Sequence, residues 1–243
     1  MKMLTLAQRN VREILRDPLN LAFGLGFPVV LLLLLSAIQA NVPVSLFEID
    51  SLTPGVTVFG LSFMTLFSAT ILSKDRGSSL LQRLYTTPLS GRDYIFAYTL
   101  PILPISVAQC VICYLLALLL GLKPTVNILF AVLLILPVSL LFIGLGLLCG
   151  SLFTDKQVGG ICGALLTNLT AWLSGTWFDL NLVGGVFKKI AYLLPFVHDV
   201  EMERAALSGR FSEILPHLWC VLAYAVLVLT SAVFCFLRQM KKQ

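Results

Sequence analysis

The chain has 243 residues, 58% of them hydrophobic and 12% charged, with a mean hydropathy of +0.94 and a formal net charge of +5. This composition excludes a disordered or ordinary water-soluble chain and places the sequence among membrane proteins. The positive balance gives no ground for nucleic-acid binding, because no loop carries a basic run with interleaved aromatic residues on which bases would stack.

Residues 1–18 read as an amphipathic helix. Leu4, Ala7, Val11, Ile14 and Leu15 recur at helical spacing, and Lys2, Arg9, Arg12 and Arg16 occupy the other side. Such a helix lies in the membrane interface, and Asp17-Pro18 turns the chain into the bilayer. It serves either as an anchor or as a lever that senses a cytoplasmic partner. The segment is too long and mixed for the n-region of a signal peptide, and the apolar run after it is longer than an h-region, so a retained first span is expected. Six windows then carry no Asp, Glu, Lys or Arg: 19–40, 54–73, 94–122, 125–154, 158–178 and 214–237. Each has the length of about 20 residues that a helix needs to cross a hydrocarbon core of ~30 Å. A charge at the bilayer centre costs at least ~2.5 kcal/mol, which is why the windows stay clean.

With six spans both termini share a side. That side holds Lys2, Arg9, Arg12, Arg16, Lys74, Arg76, Arg83, Arg92, Lys156, Arg238, Lys241 and Lys242, while the other holds five basic residues among seven acidic ones. Short basic loops stay in the cytoplasm, so N- and C-termini are predicted inside a plasma or inner membrane.

The inner loop at 74–93 carries the first functional signal. Ser79 and Gln82 have capping-box spacing, Leu80, Leu81, Leu84 and Tyr85 form an apolar face, and Pro88 stops the helix. A short amphipathic helix flanked by charges suits a groove on a soluble partner, or the lipid surface.

Within the spans, Pro101, Pro104 and Pro137 are expected to kink or loosen their helices. Gly146 and Gly150 form a GxxxG, and Gly159, Gly163 and Thr167 continue a small-residue face in the next span; either packs the bundle or joins two copies. The polar residues there, Gln109, Thr167, Asn168 and Thr170, are uncharged and read as interhelical hydrogen-bonding groups. Ion-coupled carriers place a titratable group in mid-membrane, and none is seen, so secondary transport is disfavoured. All six cysteines fall inside spans as small apolar residues, and the Cys110/Cys113 pair has no further ligand for a metal nearby.

After the fifth span, 183–197 is apolar but too short to cross, and Pro195 interrupts it. A polar stretch from His198 to Ser208 follows, closed by Gly209. A helical hairpin over 179–213, dipping into the outer leaflet, is predicted as a gate or a cap. Ser174, His198 and Asp199 make a hydrolytic triad only on paper, since Trp172 stands where a nucleophile elbow has glycine. No GxxxxGK[ST] phosphate loop is present, so no ATP hydrolysis is expected from this chain by that machinery.

At these segments the chain resembles the permease subunits of type-2 ABC exporters, the family that includes daunorubicin-type drug exporters and polysaccharide exporters. The inner loop matches at Asp75, Arg76, Gly77, Leu80, Leu84, Thr87, Pro88 and Leu89. The later match is Leu-Ser-Gly-Thr-Trp-Phe at 173–178 and Tyr-Leu-Leu-Pro-Phe at 192–196, and Arg-x-x-x-Arg-Asp-Pro at 12–18 looks like the family's connecting helix. Ser79 and Gln82 stand where family members often carry glutamate.

The resemblance implies an all-α polytopic membrane protein with one permease domain over 1–243 and six transmembrane helices. To these it adds an N-terminal interfacial helix, a cytoplasmic coupling helix between spans two and three, and a re-entrant hairpin between spans five and six. It implies a separate nucleotide-binding ATPase that binds ATP and Mg, a second permease copy or paralogue, a lipid surround, and no cofactor in this chain. Asp75, Arg76, Gly77, Leu80, Arg83, Leu84, Tyr85 and Pro88 would couple to the ATPase, and Arg12, Arg16 and Asp17 would belong to the connecting helix. Trp177, Phe178, Tyr192, Pro195 and Phe196 would form the outer gate. The charge-free spans favour a hydrophobic or amphipathic cargo (drug, peptide or lipid), as in multidrug resistance. Export of a polysaccharide or lipid-linked glycan is the alternative, and a non-transporting scaffold or immunity-type binder is the alternative of another class.

Overall fold

A computed structural model of the chain describes residues 2–42, 45–78 and 90–240; the described residues form helices and short turns, with no strand among them. In chain order the helices are α1 (Lys2–Leu15), α2 (Pro18–Asn41, containing a π segment at Ala22–Gly26), α3 (Ile49–Arg76), α4 (Gly91–Thr99), α5 (Leu103–Leu119) and α6 (Asn127–Leu152). After α6 come α7, α8 (Leu180–Val183), α9 (Gly185–Leu193), α10 (Pro195–Leu207) and α11 (Phe211–Met240). Helix α7 runs without a break through Asp155–Val158, a π segment at Gly159–Leu166, and Thr167–Leu173.

Five helices are long and apolar enough to cross a membrane: α2, α3, the α4–α5 unit over Ile95–Leu119, α6 and α11. The expected span at 158–178 is α7, whose pieces of 4, 8 and 7 residues end at Leu173, and Asp155, Lys156 and Gln157 occupy its first turn. It is shorter and more polar than the other five.

Helix α3 is the axis of the bundle: 89% of its most apolar window is buried, against 22% for α2. Its polar residues explain how it packs in a setting where apolar contact alone gives little preference. Thr65 donates its hydroxyl to the Phe142 carbonyl at 2.9 Å, and Ser68 to the Ile143 carbonyl at 3.2 Å. At this crossing α6 presents Gly146 and Gly150. A Cβ on Gly146 would overlap Ser68 Oγ and the Thr65 carbonyl, and one on Gly150 would lie 2.7 Å from the Ala69 carbonyl. The GxxxG therefore seats α6 on α3 within one chain. The small-residue face of α7 is used differently, since a Cβ at Gly159 or Gly160 would meet nothing within 4 Å and one at Gly163 only Leu66.

Pro101 and Pro104 do break their span, where α4 ends at Thr99 and α5 begins at Leu103, whereas α6 runs unbroken through Pro137. Of the four polar residues expected to bond between helices, Gln109 does so, donating to the Thr57 carbonyl at 3.2 Å. Thr167, Asn168 and Thr170 bond carbonyls of their own helix, those of Cys162, Ala164 and Leu166. A hydroxyl or amide one turn from a helical carbonyl finds that acceptor first.

Two elements depart from the sequence reading. The face that α1 turns to the protein is Leu6, Ala7, Asn10 and Ile14, while Leu4, Val11 and Leu15 are exposed. Asn10 is drawn in because it has a partner there, so the docked stripe is rotated from the purely apolar one. The polar stretch at 198–208 is no surface cap: α10 packs among α3, α6, α9 and α11 and is buried on nearly all sides. Its end is set by Gly209 at φ +75°, where Gly209 N–H bonds the Ala206 carbonyl and Arg210 N–H the Ala205 carbonyl, a Schellman closure.

Candidate coupling face and the opposite end of the bundle

Three elements converge where the loop between α3 and α4 leaves and re-enters the bundle. Helix α3 delivers Asp75 in its last turn, 2% exposed. From α1, Arg9 grips both carboxylate oxygens of Asp75: Nη2 lies 2.7 Å from Oδ1, and Nη1 reaches Oδ2. The Tyr98 hydroxyl of α4 donates to that same Oδ2. Next to Arg9, Asn10 donates from Nδ2 to the Ala97 carbonyl at 3.1 Å. A bidentate guanidinium–carboxylate pair is geometrically selective as well as strong. The hydrogen bonds that Arg9 donates to Asp75 are the first cause holding its guanidinium above its usual value, with burial working against it. Arg9 also meets Glu13 one turn along α1, at 2.5 Å. Helix α1 is thus tied to the last turn before the loop and to the first helix after it.

Helix α4 starts cleanly for a local reason. Ser90 accepts from Asp93 N–H at 3.2 Å while the Asp93 carboxylate accepts from Ser90 N–H at 3.1 Å. Arg76 closes the other helix end at this face, donating to the Gly150 carbonyl at 2.6 Å and the Phe153 carbonyl at 3.2 Å at the C-terminus of α6. Beside it lies an open cleft of about 610 Å³ lined by Ser73, Lys74, Arg76, Phe153, Asp155 and Lys156.

Of the expected coupling residues, Asp75, Arg76 and Gly77 sit at this face, while Leu80, Arg83, Leu84, Tyr85 and Pro88 lie outside the described residues. Arg12 and Arg16 are exposed, and Asp17 caps α2 by accepting from Asn20 N–H at 3.2 Å. The contact from α1 to the loop's roots is made instead by Arg9 and Asn10, with Tyr98 across from them. The available signal was Asn10, a polar residue set one turn from Ala7 and Ile14 on the docked stripe.

At the opposite end the proposed gate residues do not form one cluster. Trp177 packs edge-on to Phe59 with ring centroids 5.4 Å apart, Phe178 lies 6.1 Å from Phe187, and Phe196 is buried 6.1 Å from Phe142. Pro195 begins α10, and Tyr192 is exposed beside His198. No triad assembles: Ser174 pairs with Thr176 at 2.8 Å, and His198 pairs through Nδ1 with His217 at 2.8 Å. Arg204 ties α10 to the Ser51 and Gly175 carbonyls, each at 3.2 Å, and pairs with Glu201 within its own helix.

Asp199 and Glu203 lie inside the bundle, both fully buried. Loss of solvent pushes both carboxyls up: Asp199 is raised further by the neighbouring Glu203, and Glu203 reaches about 8 although its hydrogen bond from Tyr114 works the other way. The sequence reading, which saw no buried carboxylate, is corrected here: α10 is none of the long apolar helices, yet it carries two acids into their midst. Between α4, α6 and α11 runs an apolar groove of about 300 Å³, lined by Ile95, Phe96, Leu140, Leu229 and Val233.

The family model for the ABC-2 type transporter matches residues 1–207, from α1 through the end of α10. The chain belongs to the ABC-2 type transporter family. Domains of this family are the non-catalytic membrane part of transporters driven by ABC ATPases, so the chain is a multi-pass permease component. Compared with curated proteins, it shows no match. Among the described residues no group of three or more His, Cys, Asp or Glu is placed to hold a metal ion.

Proposed function

We propose that the chain is the permease subunit of an ATP-driven exporter of a hydrophobic or amphipathic compound, working with a separate nucleotide-binding subunit that binds ATP and Mg and with a second permease. The observation that carries this reading is the joint at Asp75. A push on the loop at 79–89 meets α3, α4 and α1 together, because Arg9, Tyr98 and Asn10 join them. Helix α3 is the axis of the bundle, so displacing its end moves the whole packing. In this reading α7 is the sixth span, and its unpacked Gly159–Gly160 surface faces the second permease. Helix α1 lies in the interface with Leu4, Val11 and Leu15 toward lipid, α8 to α10 form the re-entrant outer segment, and both termini are cytoplasmic in a plasma or inner membrane. The apolar groove between α4, α6 and α11 opens at the side of the bundle, which suits cargo entering from the membrane.

The docking role of the loop is tested by Leu84→Asp combined with Tyr85→Asp in the assembled transporter. An apolar side chain buried at an interface contributes about 1.5–3 kcal/mol, so losing two should lower coupled transport by at least ~10-fold while the permease still folds. Transport at the unaltered rate in the double variant would reject it.

A further inference from the structure

Asp199 and Glu203 stand one turn apart on α10 and share its buried side. Three of their four carboxyl oxygens, both of Asp199 and Oε1 of Glu203, have no hydrogen-bond partner; the fourth accepts from the Tyr114 hydroxyl at 3.1 Å. The titratable groups of other helices that act on the pair are Tyr114 and Cys110 of α5 and Cys220 of α11, and none is a cation. Helix α6 has no charged side chain over 127–152, and those of α3 lie in its first and last turns. On α9, Lys188 bonds the Asn181 amide and Lys189 is exposed. On α11, Glu213 pairs with Arg210 and His217 with His198. On α10 itself Arg204 is directed to backbone carbonyls and Glu201.

An ionised carboxylate here would face neither water, nor a cation, nor a set of donors, and two ionised ones would repel across a single turn. We propose that α10 carries a proton-binding site: Asp199 and Glu203 both hold a proton while the helix is packed in the bundle, and release it to water when the helix is withdrawn. The site lies at the end of the bundle away from the Arg9–Asp75 joint, so any movement that opens that end to water is linked to pH. The direction follows from the raised affinity for protons in the packed state. Between the ordinary carboxylate range near 4 and about 8, where Glu203 titrates, the packed form binds more protons than the exposed one. Packing is therefore favoured at the acid end and weakens tenfold per pH unit per group as pH rises through that window. This holds whatever the chain transports.

Infrared spectroscopy of the full chain in lipid vesicles tests it. At pH 6 the wild type should show the carbonyl band of an un-ionised carboxylic acid, shifted in D2O, with one component fading as pH passes about 8. Glu203→Gln should remove that component, and Asp199→Asn with Glu203→Gln should remove the band. The double variant should also flatten the pH dependence of thermal unfolding between pH 5 and 8. No such band in the wild type at pH 6, or a band and a pH slope unchanged in the double variant, would overturn the proposal. Should the double variant fail to fold, the wild-type spectrum still decides.

Discussion

Gly146→Leu is expected to keep the protein from accumulating in folded form. The α3–α6 crossing is the centre of the bundle, and a Cβ alone at Gly146 would overlap Ser68 and the Thr65 backbone, which has no room to retreat. Gly146→Ala already forces the helices apart, at a cost of about 1–3 kcal/mol that the gain in helix propensity of ~1 kcal/mol offsets only in part. Separation also breaks the hydroxyl bonds from Thr65 and Ser68 to α6. Gly26→Ala is the internal control, because nothing lies within 4 Å of its added carbon, its backbone is right-handed helical, and the change should stay within ~0.5 kcal/mol or stabilise. Size-exclusion profiles and thermal unfolding in detergent read both. A Gly146→Leu protein with the wild-type profile and melting temperature would mean that the two helices do not meet as described.

Arg9→Met is expected to sever α1 from the loop's roots. Asp75 would be left buried with Tyr98 as its remaining partner. Removing one member of a fully buried pair costs about 3–5 kcal/mol; Arg9 is partly exposed, so about 2 kcal/mol is expected here. Asp75→Leu in the Arg9→Met background should recover part of that loss, giving a coupling energy of about 1–3 kcal/mol in the double-mutant cycle. ATP-linked transport should fall in both single variants and stay low in the double variant, because an apolar replacement restores packing but not the directional grip between α1 and α3. Additive stability effects, or transport recovered along with stability, would remove the joint from the coupling route.

What the sequence disclosed, and what it hid, follows from which signals are one-dimensional. Charge-free windows locate five long apolar helices because the bilayer penalises charge wherever a span crosses, and Gly146 and Gly150 announce close helix contact because no other residue permits it. The Pro101/Pro104 break is legible for the same reason, a local backbone constraint. Burial by neighbouring helices is not local. Helix α10 has acidic, basic and histidine residues and reads as a surface segment, yet α3, α6 and α11 enclose it, so Asp199 and Glu203 went unseen. Pairings far apart in the chain were hidden too: nothing in the run of 1–18 distinguishes Arg9 from Arg12 and Arg16 until Asp75 and Tyr98 are brought beside it. Helix α7 shows the limit of counting windows, since a charge-free stretch over 158–178 begins its helix among polar residues and ends it at Leu173.

The working of this permease is proposed to depend on the stroke of an ATPase. The most direct test is ATP hydrolysis by the chain co-expressed with ABC ATPase subunits from its own genome, purified together into lipid, with and without a panel of hydrophobic compounds. The expected result is a complex of two permeases and two ATPases whose hydrolysis at least one compound stimulates. A permease that purifies alone, with no ATPase bound and no stimulation by any compound, would contradict it.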